Sequence, residues 1–92
     1  VASGGVLLLD VREAAEYRSE RIATARNIPV RQIAQLIGTL PQDRATPIMV
    51  YCRSGHRGAI ALMVLRLAGY TNVRSLAGGL EAWKAAAFPV EQ

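Results

Sequence analysis

Between Pro47 and Gly69 the chain passes through three contrasting stretches. Ile48-Met49-Val50-Tyr51 is an apolar run of strand length that follows a proline, and Ala59 to Ala68 is apolar apart from Arg66 and ends at a glycine, as a helix would. Cys52-Arg53-Ser54-Gly55-His56-Arg57-Gly58 lies between them. A strand that enters a tight loop and leaves it as a helix aims the first helical N–H groups, and the positive end of the helix dipole, into that loop. Any anion held there is stabilised.

The rest of the chain repeats this alternation. Val6-Leu7-Leu8-Leu9 is a continuous apolar run, as expected of a strand covered on both faces. Asp10 and Glu13 stand three apart after it, which predicts a short helix from about Glu13 to Tyr17 with Asp10 accepting from its opening N–H groups. Asn27-Ile28-Pro29-Val30 reads as a short extended segment, and Ile33, Leu36, Ile37 and Leu40 have helical spacing with Gly38 placed to stop the helix. Gly38 to Pro47 is the clearest polar loop. Asn72 to Leu76 is a further strand candidate, and Gly78-Gly79 turns into a helix from about Leu80 to Ala86. Strands alternating with helices define an α/β class with a parallel sheet. There is no internal repeat and no low-complexity tract.

At 92 residues the chain is the size of one small domain, able to bury somewhat over ~60% of its unfolded surface. It is 51% hydrophobic with few aromatics, so the core is built from Leu, Ile, Val and Ala, with Trp83 and Phe88 as rare large pieces. No window approaches the ~20 apolar residues of a membrane-spanning helix. A single cysteine excludes an internal disulfide, and with a single histidine it cannot supply a closed structural zinc site. No cofactor is called for. The net charge of +4 raises nucleic-acid binding as a class, but the arginines are scattered and no aromatic platform interleaves them. A positive field around an anion-binding site accounts for the charge more simply.

Cys52 therefore carries the chemical question. A lone cysteine is most often a small buried hydrophobe. A thiol beside cationic groups at a helix N-terminus, however, can fall from a pKa of about 8.5 to roughly 3.5–7.5 and become a nucleophile. The neighbours Arg53, His56 and Arg57 favour the second reading. A reactive thiol survives best in a reducing compartment, which makes the cytoplasm the expected location.

These residues also resemble the active-site loop of the rhodanese family of sulfurtransferases. Two other segments agree in the same order: Asp10-Val11-Arg12-Glu13 with Glu16-Tyr17, Ile22 and Ala25-Arg26-Asn27-Ile28-Pro29, and Gly69-Tyr70, Asn72-Val73, Gly78-Gly79, Ala82-Trp83 and Pro89-Val90. The resemblance implies a rhodanese-like three-layer α/β fold, with a central mostly parallel sheet of four to five strands and helices on both faces. Residues 1–92 would form one such domain, in which the strand and helix that relatives usually carry before the Val6 strand are missing or trimmed. It also implies thiosulfate sulfurtransferase activity. Cys52 would be the nucleophile and persulfide carrier, and Arg53, Ser54, Gly55, His56, Arg57 and Gly58 would form the anion-binding loop around a small sulfur donor such as thiosulfate. Arg53 and Arg57 would attract the donor, Ser54 would donate a hydrogen bond to the sulfur, and His56 would face solvent or act as a pH-dependent cation. The acceptor would be cyanide, a thiol or a sulfur-acceptor protein.

The chain departs from the family pattern at two places. Relatives commonly have Gly-His-Ile and then Gly-Ala where this chain has Glu20-Arg21-Ile22 and Thr24-Ala25, which predicts a changed loop remote from the thiol. Gly58 stands where relatives often have serine, removing a hydroxyl from the loop. Two other functions share the architecture. Cysteine-dependent phosphatases and arsenate reductases resemble His-Cys, five residues, then Arg, whereas Tyr51 precedes Cys52 here and Arg57 follows one residue sooner. A partner-binding module without catalysis is the other. Asp10, Arg12 and Glu16 are read as capping and loop-bracing groups, and Trp83 as a core or rim anchor.

Overall fold

In the computed structural model, residues 6–53 and 56–90 are described. Four strands, β1 (Leu7–Asp10), β2 (Arg26–Asn27), β3 (Ile48–Tyr51) and β4 (Val73–Ser75), form one parallel sheet in the order β2-β1-β3-β4. Three helices, α1 (Ala14–Ser19), α2 (His56–Leu67) and α3 (Gly79–Ala85), cover it on both faces. The parallel α/β class expected from the alternating runs, and the layering that the resemblance implies, are those observed.

Period-two alternation along the central strands sorts the core into two clusters. Leu9 and Val11 of the β1 row, with Ile48, Val50 and Cys52 of the β3 row, pack beneath Ala61 and Leu65 of α2. Leu8 and Tyr51 point the other way, toward Leu80 of α3, Ile22 and Ala25, with Tyr17 of α1 and Trp83 against them. The register Leu9↔Val50 and Asp10↔Tyr51 keeps each row on its own face.

Several boundaries differ from expectation for identifiable reasons. Asp10 is not the cap of α1. Its carboxylate is turned back onto Arg12, and the Glu13 N–H donates instead to Glu16, 2.9 Å away. The 33–40 segment is not an α-helix: turns at 33–36 join a 3-10 helix at Val30–Gln32 to another at Ile37–Thr39, and Ile33 and Leu40 beside them are still buried. Spacing of three and four is shared by both helix types, so it could not separate them. Phe88 is not core: it is 54% exposed and leans on the Trp83 ring at 4.8 Å. Trp83 itself is the expected rim anchor, half-buried with its Nε1–H donating to the Pro89 carbonyl at 2.8 Å.

Candidate active site

The β3 alternation decides where Cys52 points. Two residues beyond Val50, it falls in the row that faces α2, and its side chain is 1% exposed within the cluster of Leu9, Val50, Ala61 and Leu65. The first turn of α2 lies directly against it. A Cβ added to Gly58 would stand 3.8 Å from the Cys52 Sγ and 3.9 Å from its backbone nitrogen. The thiol thus meets the N-terminal end of a three-turn helix, where the dipole favours negative charge.

α3 fixes the two peptide carbonyls at and just after the cysteine. The Leu80 N–H donates to the Cys52 carbonyl at 2.8 Å and the Glu81 N–H to the Arg53 carbonyl at 3.0 Å. This approach requires the glycine at 79, whose φ is +61° and whose absent Cβ would lie 2.4 Å from the Cys52 carbonyl oxygen. The Gly78-Gly79 pair is therefore part of the thiol's mounting as well as a turn.

The two loop arginines are placed differently. Arg53 is exposed and pairs with Glu81 at 3.2 Å, at one side of a groove of about 430 Å³ lined also by Arg12, Glu16, Glu20 and Lys84. Cys52 is not in the groove's lining. Arg57 is half-buried and grips Glu16 of α1 with two nitrogens, at 2.6 and 3.1 Å. That grip, more than the opposing cost of burial, holds the Glu16 carboxyl down to about 2, with the Glu13 N–H assisting. The hydrogen bond to Glu16, and after it the Glu16 charge, raise the Arg57 guanidinium against the opposing cost of burial. Arg57 is therefore already engaged with Glu16. Glu16 is the loop-bracing group expected from the sequence.

Of the remaining loop residues, His56 begins α2 and is exposed, and Gly58 is buried. Ser54 and Gly55 lie outside the described residues. The structure thus sets Gly58 against the Cys52 sulfur, Arg57 on Glu16 and Arg53 on Glu81.

Behind the site, on the α1 and α3 side, is a polar lock that sequence reading only partly saw. Arg12 and Asp10 are both buried and joined at 2.7 Å. Burial opposes the Arg12 charge, but the hydrogen bond and charge of Asp10 outweigh it and keep the guanidinium above its usual value. The Tyr51 hydroxyl accepts the Ile22 N–H at 3.1 Å, and burial pushes its pKa up. Asn27 fastens the exit of β1 by donating to the Asp10 and Arg12 carbonyls, each at 2.9 Å. The phenol next to the cysteine gave no sign of this role, because a tyrosine in an apolar strand reads simply as core.

These features define a class: a parallel α/β domain that carries a single cysteine at a strand-to-helix junction, on the carboxyl edge of the sheet where such folds bind ligands. The chain belongs to the rhodanese-like domain family, whose model matches residues 1–86. It is 39% identical over 84 residues to an uncharacterised Synechocystis protein, slr1261, covering 91% of this chain and 46% of that one. It is 36% identical over 85 residues to a sulfurtransferase of Allochromatium vinosum, covering 92% and 78%. To the thiosulfate sulfurtransferase PspE of Escherichia coli it is 36% identical over 73 residues, covering 79% and 69%. Among solved structures, the rhodanese-like domain of the Anabaena protein Alr3790 superposes with a TM-score of 0.85 at 31% identity, covering 95% of this chain and 99% of that one. Among the described residues, no helix is long and apolar enough to cross a membrane.

Proposed function

We propose that this domain is a thiosulfate sulfurtransferase that works through a persulfide on Cys52. The thiolate attacks the outer sulfur of thiosulfate. A new S–S bond forms, the donor's own S–S bond breaks, and sulfite leaves with the bonding pair. Cyanide then attacks the outer sulfur of the persulfide, giving thiocyanate and restoring the Cys52 thiolate; an acceptor thiolate would take the sulfur in the same way. No general base is required. The N-terminus of α2 and the Arg57 guanidinium stabilise the sulfur anion in each state. Ser54, Gly55 and the backbone around them complete the loop in this reading. Exposed Arg53, whose pairing with Glu81 is at the surface and therefore weak, is the cation most readily released to the incoming anion. A reaction that needs a reduced thiol suits a reducing compartment such as the cytoplasm.

The observation that carries this reading is the placement of the Cys52 Sγ against Gly58 in the first turn of α2. A second reading, in which Cys52 is only a core residue, is favoured by its 1% exposure. Thiosulfate:cyanide assays separate them. Wild-type protein forms thiocyanate and Cys52→Ser forms none while unfolding at the same urea concentration. Thiocyanate formation that survives Cys52→Ser removes the nucleophile, and turnover of an aryl phosphate without thiocyanate would favour phosphatase chemistry.

A further inference from the structure

We propose that the Ser75 hydroxyl is a binding residue of the same site, donating a hydrogen bond to the outer sulfur that Cys52 carries; the proposal rests on the sulfurtransferase reading above. The register of β3 and β4 pairs Val50 with Ser75. Val73 and Ser75 share one side of β4, and Val73 belongs to the same buried cluster as Cys52 and Val50. Ser75, the last residue of its strand, therefore projects toward α2 at the carboxyl edge of the sheet, beside the exit of β3.

Gly58 shows what this placement does. A Cβ at that position would lie 3.0 Å from the Ser75 Oγ and 3.8 Å from the Cys52 Sγ. The hydroxyl and the sulfur thus border one methyl-sized space, kept open by a residue with no side chain. A side chain at 58 would compete with Ser75 for that space. The hydroxyl that a serine at 58 would deliver from α2 is instead delivered from β4. When thiosulfate loads Cys52, the added sulfur bears the negative charge, and sulfur anions accept O–H donors.

The test compares Ser75→Thr with Ser75→Val, which have nearly the same shape and differ in the hydroxyl. Protein loaded with thiosulfate is equilibrated against increasing sulfite, and the fraction carrying one extra sulfur is read by intact mass. Wild type and Ser75→Thr should unload at similar sulfite concentrations, whereas Ser75→Val should unload at concentrations about three- to tenfold lower, the size of one ordinary net hydrogen bond. The double variant Gly58→Ser with Ser75→Ala should recover toward wild type, because it moves the hydroxyl to the facing wall. Identical unloading of Ser75→Thr and Ser75→Val would overturn the proposal. A wild-type protein that takes up no sulfur would overturn the sulfurtransferase reading and this proposal with it, and is distinct from normal loading without a Ser75 effect.

Discussion

Between α2 and the sheet, the buried residues are Leu9, Val50, Ala61, Leu65 and their neighbours, with Cys52 among them. Between the sheet and α1 with α3, the buried residues include the Asp10–Arg12 ion pair and the hydrogen-bonded Tyr51 phenol. The apolar face encloses the sulfur with the first turn of α2, which carries Arg57 and Gly58, beside it. The polar face holds the loops that position those groups. Two links cross between them: Arg57 to Glu16, and the α3 N–H groups to the Cys52 and Arg53 carbonyls. In the proposed reaction the chemistry sits on one side of the sheet and its mounting on the other.

This division can be broken by substitution, in a definite order. Asp10→Asn strands the Arg12 charge in the interior and should cost about 3–5 kcal/mol of unfolding free energy in urea. A cost below 1 kcal/mol would mean that the polar face holds little. Leu65→Ala, on the apolar face, should cost about 3 kcal/mol through lost transfer energy and a residual cavity, with no preference for pH.

Glu16→Gln sharpens the comparison because it cuts a link. Its carboxyl, held at about 2 in the fold against 4.5 ordinarily, contributes stability that is full above pH 4.5 and is lost as pH falls toward 2. Because the pair is about one-third exposed, screening reduces the contribution to about 1 kcal/mol at pH 7. The wild-type and Glu16→Gln stability curves should therefore converge between pH 4.5 and 2, and a constant gap over that window would contradict the assignment. The smallest effect is expected at Thr24, a β-branched residue held at φ +69°. Thr24→Gly should raise stability by up to about 1 kcal/mol, the strain released less the added chain entropy.

The order of strands and helices was legible because apolar runs of different length and their punctuation are written locally. Val6 to Leu9, Pro47 to Tyr51 and Ala59 to Ala68 each became the element expected, within a few residues. The 33–40 segment was not legible, since one-sided burial every three or four residues suits a 3-10 turn as well as an α-helix. Asp10 was misassigned because a cap and an ion pair two residues on make the same demand of a carboxylate. Within the site, Cys52, Arg57 and Gly58 could be singled out from adjacency in the chain, and Glu16 from its loop-bracing charge. Ser75 could not, because only the β3–β4 register brings it to the thiol. Its signal was a serine in the inward row of a strand end. Thr24, at φ +69°, holds a left-handed conformation that a glycine adopts without strain, which the sequence alone did not reveal.

The most direct measurement is intact mass with peptide mapping after incubation with thiosulfate. A persulfide mechanism predicts a gain of one sulfur atom per chain, located on the peptide containing Cys52 and removed by cyanide. Unchanged mass in folded protein, or sulfur bound elsewhere than Cys52, would contradict it.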